Sequence, residues 1–436
     1  MPVKSLSRYL RVANDRTAVI IVWALRLIVG AIFIFSGWVK AVDIWGGSYK
    51  IAEYFASWNL SLPESFIVIC ASAMAMAEFL AGAMIILGCF RRMVIYLTSA
   101  FMACMTLLTL YLWIANPVKD CGCFGDAIVL SNAATFWKNI VIDIMLLFLW
   151  FNNHRAHSLI YHRLQWLAVI ATITYIGYIE YLGYNIQPPV DFRGYAPGQN
   201  ILPTDSDTDD IRFVYAHNGI ERAFAADSLP DEDTGWTFVR RESTGEDTRK
   251  SIVITEPAGE DITENIINDT GVQIILLVPD TKEYGRTRSA MANEIYDVMQ
   301  TNYGGNTMFA VVAGNYNTAS EWADEVRAHY PVYTAEDTDI KILARGKGAM
   351  IFVRDGRIVW KQTTTSLPPD LGIRIMQDGI EALDNASYID ALSLTSSTRN
   401  ASLYYALAII ALIILTTPQA IHHLFVRKRK AAAKQV

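Results

Sequence analysis

The sequence predicts an α-helical membrane bundle, made of four helices plus two further spans, joined to an α/β domain outside the cytoplasm. Three observations lead to this fold class. Six apolar segments are close to the roughly 20 residues that a helix needs to cross a bilayer. A polar stretch, residues 185–400, separates the fifth segment from the sixth. This stretch carries 34 acidic and 19 basic residues, whereas the rest of the chain carries 9 and 18.

These segments divide the chain into four predicted parts. The spans cover residues 18–39, 66–88, 93–115, 135–151, 165–183 and 403–425. The parts are a four-helix membrane domain at 1–155, a fifth transmembrane helix at 156–184, an acidic domain at 185–400, and a sixth helix with a basic tail at 401–436.

Basic residues predict the orientation of the spans. Short loops rich in Lys and Arg stay in the cytoplasm. Such residues precede the first span, follow the sixth, and lie in the two loops after the second and fourth: Lys4, Arg8, Arg11, Arg16, Arg91, Arg92, Arg155, Arg163 and residues 427–430. We therefore expect both termini in the cytoplasm and residues 185–400 on the opposite side. The basic tail lacks interleaved aromatic residues, so we expect the lipid bilayer as its partner and no nucleic acid.

A short cysteine loop, residues 120–126, lies between the third and fourth spans, on the expected outer side. It contains Cys121-Gly122-Cys123, and all five cysteines of the chain lie at or before position 123. Two neighbouring thiols in an oxidising compartment suit disulfide chemistry, either redox-active or structural. We predict no metal site, because the nearest histidines are expected across the membrane. Asp120 and Asp126 flank the pair and are expected to raise the thiol pKa values.

Several charged residues lie inside the predicted spans or directly at their ends. A charged side chain in the hydrocarbon core costs roughly 2.5–3.5 kcal/mol, so it usually faces a partner or a wet cavity. Arg26, Lys40, Glu78 and Asp143 are therefore candidates for a polar site within the bundle. Arg26 and Glu78 are expected on the same side of the membrane centre and could pair. The alternative is that they only lock the helices together.

The pattern of these residues resembles a known family. The pattern consists of Arg26 with Gly30, Ser36-Gly37, Lys40, and Glu78 with Gly88. It is similar to the four-helix DoxX/MauE family of bacterial inner-membrane proteins over about residues 18–151, and the cysteine loop points to the MauE-like branch. MauE-type proteins are implicated in periplasmic maturation of a disulfide-rich enzyme subunit, and DoxX relatives in quinone-linked oxidation. The resemblance implies redox work, with a quinone as the cofactor and Arg26, Lys40, Glu78 and Asp143 as candidates to bind it.

From about residue 272 onward, strands and helices are predicted to alternate. The predicted elements are strands Gln273–Val278, Met308–Ala313 and Pro331–Tyr333, helices Thr287–Met299, Ala319–Ala328 and 338–344, and a hairpin of Ala349–Val353 with Ile358–Lys361. This order resembles a thioredoxin-like domain. A thioredoxin needs Cys-x-x-Cys at the start of the helix after its first strand. Residues 279–287 contain no cysteine, so we expect a redox-inactive domain that binds a partner or caps the membrane part.

Two functions from different classes fit these features. The favoured one is an inner-membrane component of periplasmic thiol–disulfide or quinone-linked redox work, in which Cys121 and Cys123 exchange electrons with a client protein or a quinone. It would make the chain part of a thiol–disulfide oxidoreductase. The alternative is a non-enzymatic membrane scaffold whose cysteines only staple a loop and whose acidic domain recruits a partner. Replacement of Cys121 by Ser should abolish turnover in the first case and change only protein abundance, if anything, in the second.

Overall fold

A computed structural model describes residues 3–118, 120–202, 211–217, 220–225, 236–243, 252–256, 259–267, 270–305, 307–384 and 394–432. The chain divides into two compact units. We call them the helical unit, which comprises Met1–Tyr184, Pro188–Val190 and Leu394–Val436, and the sheet unit, which comprises Asn185–Gln187 and Asp191–Ser393. The four domain boundaries expected from the sequence stay a prediction.

Seven α-helices, numbered in chain order, form most of the described part of the helical unit. They are α1 (Val3–Val42), α2 (Ile44–Ser57), α3 (Glu64–Leu87), α4 (Arg91–Ala115), α5 (Asn132–Asn152), α6 (Gln165–Asn185) and α12 (Leu394–Ala432). Within the described residues, six segments are long and apolar enough to cross a membrane: Thr17–Val42, Glu64–Leu87, Arg91–Ala115, Asn132–Arg155, His162–Asn185 and Ser396–Thr416. The six predicted spans are thus confirmed as helices, and the chain is a membrane protein in contact with the lipid bilayer. Its orientation stays a prediction.

Helices α1 and α3 approach each other so closely that glycine is required at the contact. A Cβ atom added to Gly37 would lie 2.3 Å from the backbone nitrogen of Phe79, and one added to Gly82 would lie 2.6 Å from the carbonyl oxygen of Gly30. Small residues allow such close backbone approach in lipid. The small residues of the second span therefore serve packing, and they set the distance between the two helices that carry Lys40 and Glu78.

Substitution of Gly37 by Ala should weaken this helix pair. Overpacking of this kind costs about 1–3 kcal/mol, because the new methyl group meets backbone atoms that cannot move aside. Thermal unfolding in detergent should therefore show a lowered melting temperature. Gly177→Ala is the matched control, since its Cβ would lie at an ordinary 3.9 Å from Cε of Met76. Equal melting temperatures for the two variants would contradict the close approach.

The described residues of the sheet unit form two sheets. An antiparallel sheet has the order β2-β1-β3, with β1 (Ile211–His217), β2 (Ile220–Ala225) and β3 (Thr237–Ser243). A six-stranded mixed sheet has the order β4-β7-β6-β5-β8-β9, with β4 (Ile254–Thr255), β5 (Val272–Val278), β6 (Met308–Ala313), β7 (Val332–Ala335), β8 (Ala349–Arg354) and β9 (Arg357–Thr363). Strands β5, β6 and β7 are parallel, and β8 joins β5 in antiparallel orientation.

Helices cover both faces of the six-stranded sheet. They are α7 (Thr263–Ile266), α8 (Arg286–Asn302), α9 (Tyr316–Val326), α10 (Asp337–Leu343) and α11 (Leu371–Asp378). Successive side chains of a strand point to opposite faces. Accordingly, Ile274 and Leu276 pack in one core with α8, α9 and α11, whereas Ile275 and Leu277 pack in a second core with α7 and α10. Burial on both faces explains why these central strands are continuously apolar.

The predicted alternation of strands and helices after residue 272 is confirmed element by element, with helix and strand ends shifted by a few residues. The hairpin turn is confirmed too. Asp355 and Gly356 have φ angles of 48° and 72°, the positive values that a two-residue turn requires at both positions. The thioredoxin-like identity of the sheet and the four-helix core of the bundle stay predictions.

A cluster of buried charges lies in the sheet unit. Lys361 on β9 donates a hydrogen bond to the carboxylate of Asp191, and Arg193 Nη2 lies 3.0 Å from the same carboxylate. Arg193 also donates to the carbonyl oxygens of Lys341 and Ile342, at 3.0 and 2.7 Å. Because these partners lie on β9 and at the end of α10, the cluster fastens the segment around residue 191 to the six-stranded sheet.

Candidate cysteine-pair site

The cysteine pair lies in a tight loop between α4 and α5. Gly122 has a φ of 63°, in the left-handed region that favours glycine, and a Cβ there would lie 2.8 Å from Cγ of Lys50. The backbone N–H of Gly122 donates to the Asp120 side chain at 2.9 Å. This turn brings the Sγ atoms of Cys121 and Cys123 to 3.0 Å from each other. The two thiols are thus placed to form or break one S–S bond with little movement of the loop.

Helix α2, which the sequence analysis did not predict, supports the loop. Its Tyr54 hydroxyl donates to the carbonyl oxygen of Cys121 at 2.5 Å, and Lys50 Nζ lies 3.1 Å from Asp120 and 2.8 Å from Glu53. The helix has 14 residues, which is fewer than a bilayer span needs, so its length and hydropathy do not mark it as a span. The sequence indicates this helix only through the spacing of three polar residues, Lys50, Glu53 and Tyr54. Residues three and four positions apart share one face of a helix.

A buried polar network connects the loop to the bundle. Lys40 Nζ lies 2.6 and 2.7 Å from the two carboxylate oxygens of Glu78, and both side chains are only 5% exposed. The Ser36 hydroxyl lies 2.7 Å from Glu78 Oε2 and 2.7 Å from the carbonyl oxygen of Cys123. Residues of α1 and α3 therefore reach the cysteine loop through Ser36.

The structure brings two of the four predicted polar residues to the cysteine pair. Lys40 and Glu78 belong to the network, whereas Asp143 accepts a hydrogen bond from Thr106 at 2.7 Å. The expected pairing of Arg26 with Glu78 is wrong. Arg26 instead donates to the carbonyl oxygen of His157 at 3.0 Å. Arg26 lies 14 positions before Lys40 on the same helix, which is about 20 Å along the axis, so the two cations cannot serve the same carboxylate.

The two thiols have opposite pKa shifts. A hydrogen bond from the Cys121 thiol lowers the pKa of Cys123 most; burial opposes this effect, and the charges of Lys138 and Lys40 bring the pKa to about 6. The same hydrogen bond and burial raise the pKa of Cys121. The shift at Cys123 is therefore opposite to the one expected beside the flanking aspartates, whereas Cys121 shifts in the expected direction. Within the pair, the thiolate is therefore favoured at Cys123 and the thiol at Cys121.

Lys138 is a functional candidate that the sequence analysis did not nominate. It lies in the second turn of α5, and its Nζ lies 4.3 Å from the ring centre of Phe124, the residue after the pair. The sequence does place this lysine inside a predicted span, shortly after the cysteine loop. Charged residues within spans usually have a function, so this position could have indicated Lys138.

Each cysteine lines a different small cavity. Cys121 lines one of about 50 Å³, whose polar lining includes Asp43, Lys50 and Tyr54. Cys123 lines another of about 30 Å³, bordered by Ser36, Glu78, Phe101, Phe124 and Lys138. Lys40 lines both cavities. The two sulfur atoms are therefore approached from different sides. Among the described residues, no group of three or more His, Cys, Asp or Glu side chains is arranged to hold a metal ion.

The low pKa of Cys123 predicts how the pair reacts with an alkylating agent. Because the thiolate is the nucleophile, the alkylation rate of Cys123 should rise with pH, and the midpoint of this rise should lie at about pH 6. Lys138→Met removes a favourable charge and should move the midpoint up by about one pH unit. Peptide mass spectrometry after pulses of iodoacetamide would measure both midpoints. Asp143→Asn, a charge change on the same helix, should leave the midpoint in place. An unshifted midpoint in Lys138→Met would contradict the assigned role of this lysine.

Comparison with known proteins gives two family matches. The model of the family described as Methylamine utilisation protein MauE matches residues 18–152. A family described as Domain of unknown function (DUF8463) matches residues 210–244, which contain β1, β2 and β3. No curated protein and no solved structure matches the chain. The segment from α1 to the end of α5, about a third of the chain, is thus similar to MauE.

Proposed function

We propose that the chain is a bacterial inner-membrane component of thiol–disulfide exchange, in which Cys121 and Cys123 cycle between dithiol and disulfide for a client protein. The observation that carries the proposal is the environment of Cys123. Its sulfur lies 3.0 Å from that of Cys121, and the charges of Lys138 and Lys40 favour its thiolate. A structural staple needs no stabilised thiolate, whereas an exchanging pair does.

The pKa difference assigns a role to each cysteine in the exchange. A client thiolate attacks one sulfur of the S–S bond, and the other sulfur leaves. A leaving thiol of lower pKa departs faster, so the attack occurs at Cys121 and Cys123 departs as the thiolate. A second client thiol then displaces Cys121 from the mixed disulfide. The client leaves with a new disulfide, and the pair keeps the two electrons as a thiol at Cys121 and a thiolate at Cys123, while the second client proton passes to solvent.

The sheet unit is proposed to bind the client. Its element order is similar to that of a thioredoxin-like domain, but the chain has no cysteine after position 123. In the segment after β5, the buried Tyr284 accepts a hydrogen bond from Trp322 Nε1 at 2.9 Å through its carbonyl oxygen, so this segment serves packing. The acidic composition of residues 185–400 favours a client with a basic surface.

The similarity to MauE suggests the setting of this reaction. The printed family name refers to methylamine utilisation, and the resemblance of the sequence implies periplasmic maturation of a disulfide-rich enzyme subunit. We extend both to this chain as part of the proposal. The cysteine loop then faces the periplasm, as the distribution of basic residues predicts.

One observation favours the non-enzymatic scaffold as a second candidate. Cys121 is only 6% exposed and packs against Leu112 and Val118, as structural cysteines commonly do. In this function the pair fixes the loop between α4 and α5, and the sheet unit recruits a partner without any electron transfer.

The redox state of the pair in native membranes separates the two functions. Acid trapping, alkylation and peptide mass spectrometry should find a mixture of dithiol and disulfide that shifts when reductant is added. Cys121→Ser should abolish client oxidation while the protein still accumulates. Cys104→Ser, which changes an exposed cysteine of α4, is the matched control and should behave as wild type. A pair that stays fully oxidised under mild reductant would overturn the exchange function in favour of the scaffold.

A further inference from the structure

The hydroxyl group of Tyr54 contacts Cys121 at two atoms. It donates a hydrogen bond to the carbonyl oxygen of Cys121 at 2.5 Å, and it also lies within hydrogen-bond reach of the Cys121 sulfur. A phenol carries one proton and therefore donates to one acceptor at a time. Rotation about the C–O bond of the phenol moves this proton from the carbonyl oxygen to the sulfur. Tyr54 is thus placed to donate to Cys121 whenever the sulfur carries a negative charge.

Cys121 needs a proton donor in the second step of the exchange, in which its sulfur leaves the mixed disulfide. The hydrogen bond with Cys123 raises the pKa of Cys121 most, and burial adds to this rise. A hydrogen bond from Tyr54 and the charge of Lys138 oppose it. A leaving thiol of higher pKa departs more slowly. Departure of Cys121 as a bare thiolate is therefore slow, and the Cys123 sulfur, 3.0 Å away, can reverse the first step in the meantime.

The cavity of about 50 Å³ beside Cys121 gives Tyr54 a route to protons from solvent. Tyr54, Lys50 and Asp120 all line this cavity, and its volume exceeds the roughly 10–15 Å³ that one water molecule needs. Lys50 and Asp120 are 25% and 23% exposed, so the cavity reaches the protein surface. These two charges bind each other at 3.1 Å, whereas the Tyr54 hydroxyl contacts the sulfur. Water in the cavity can therefore return a proton to Tyr54.

We infer that Tyr54 is a catalytic acid of the exchange, which gives its proton to the Cys121 sulfur as this sulfur leaves the mixed disulfide; the inference rests on the proposed function. The second client thiolate forms an S–S bond with the first client sulfur. The bond between that sulfur and Cys121 breaks, and its electron pair goes to Cys121. The proton of Tyr54 passes to this sulfur, and the phenolate takes a proton from solvent through the cavity. Cys121 thus becomes the thiol that donates to the Cys123 thiolate.

The departure of Cys121 can be measured as a single step. In the full chain with Cys123→Ser, 2-hydroxyethyl disulfide forms a mixed disulfide at Cys121 that no neighbouring thiol can reverse. Excess 2-mercaptoethanol then releases Cys121, and acid quenching, alkylation and peptide mass spectrometry give the rate. Tyr54→Phe, added to this background, removes the hydroxyl and keeps the ring. Tyr49→Phe is the matched control, because it makes the same change on α2, where the ring centre lies 6.1 Å from that of Trp45.

We expect Tyr54→Phe to slow the release of Cys121 by at least about tenfold, as the loss of a general acid does, and Tyr49→Phe to leave the rate unchanged. The ratio of the rates in H₂O and D₂O should also fall in Tyr54→Phe, because proton transfer from the phenol is then no longer part of the step. A hydroxyl that only holds the loop in place would leave this ratio unchanged. An unchanged ratio, an equal rate or a faster release in Tyr54→Phe would overturn the assignment.

A second measurement separates this inference from the function on which it rests. The oxidised pair of the wild-type chain is treated with dithiothreitol, a small dithiol that stands for the client. If the pair is reduced while Tyr54→Phe releases Cys121 at the normal rate, the exchange function stands and the role of Tyr54 is wrong. If the pair stays fully oxidised, the exchange function itself is contradicted, whatever the rate in the Cys123→Ser background.

Discussion

Lys40→Met is expected to destabilise the helical unit by about 3–5 kcal/mol, the cost of breaking a buried ion pair by removing one partner. Lys40 Nζ donates hydrogen bonds to both carboxylate oxygens of Glu78, at 2.6 and 2.7 Å. Without it, a carboxylate remains in a site that is 5% exposed. Unfolding in detergent, followed by the loss of helical circular dichroism, would measure the change in midpoint.

The double variant Lys40→Met/Glu78→Gln is the control for this prediction. It removes both charges and should recover most of the lost stability, because the penalty comes from the unpaired charge and not from the lost pair itself. If the single variant were as stable as wild type, Glu78 would not depend on Lys40. The single variant Lys40→Met should also raise the pKa of Cys123, since the charge of Lys40 lowers it.

Asp191→Asn is expected to cost the sheet unit a similar amount, about 3–5 kcal/mol. The substitution leaves the buried Lys361 and Arg193 without the carboxylate that both contact. Hydrogen–deuterium exchange of the full chain should show faster exchange in the peptides of β8 and β9. Asp370→Asn is the matched control, because its ion pair with Arg374 is exposed and such pairs often contribute nothing measurable. Equal protection in the two variants would contradict the structural role of the cluster.

The same carboxylate predicts a dependence on pH. Burial alone would raise the pKa of Asp191, but Lys361 and Arg193 hold it well below its usual range. A group whose pKa is lower in the folded than in the unfolded chain stabilises the fold fully above the unfolded value, about 3.9 for Asp. This contribution is lost as the pH falls below that value. The difference in protection between wild type and Asp191→Asn should therefore be constant near neutral pH and shrink below about pH 4.

The elements that the sequence predicted well are those with a local signal. The six spans follow from continuous apolar segments, and strands β5 and β6 follow from apolar runs that are buried on both faces. The Asp355-Gly356 turn follows from the few residues that adopt positive φ angles. Helix α2 has mixed composition and is too short to span the bilayer, so no continuous apolar segment marks it in the sequence. Its contacts with the cysteine loop through Lys50 and Tyr54 emerge only in the folded chain.

For the candidate site, the sequence alone predicts the cysteine pair and the charges within the spans, because Cys121-Gly122-Cys123 is contiguous and charges stand out in apolar segments. Which of these charges meet depends on how the helices pack. The close packing of α1 on α3 places Lys40, and not Arg26, against Glu78, and the position of α5 brings Lys138 to the loop. Side-chain contacts between helices depend on the rotation of each helix and on the distance along its axis, and packing between segments far apart in the chain sets both.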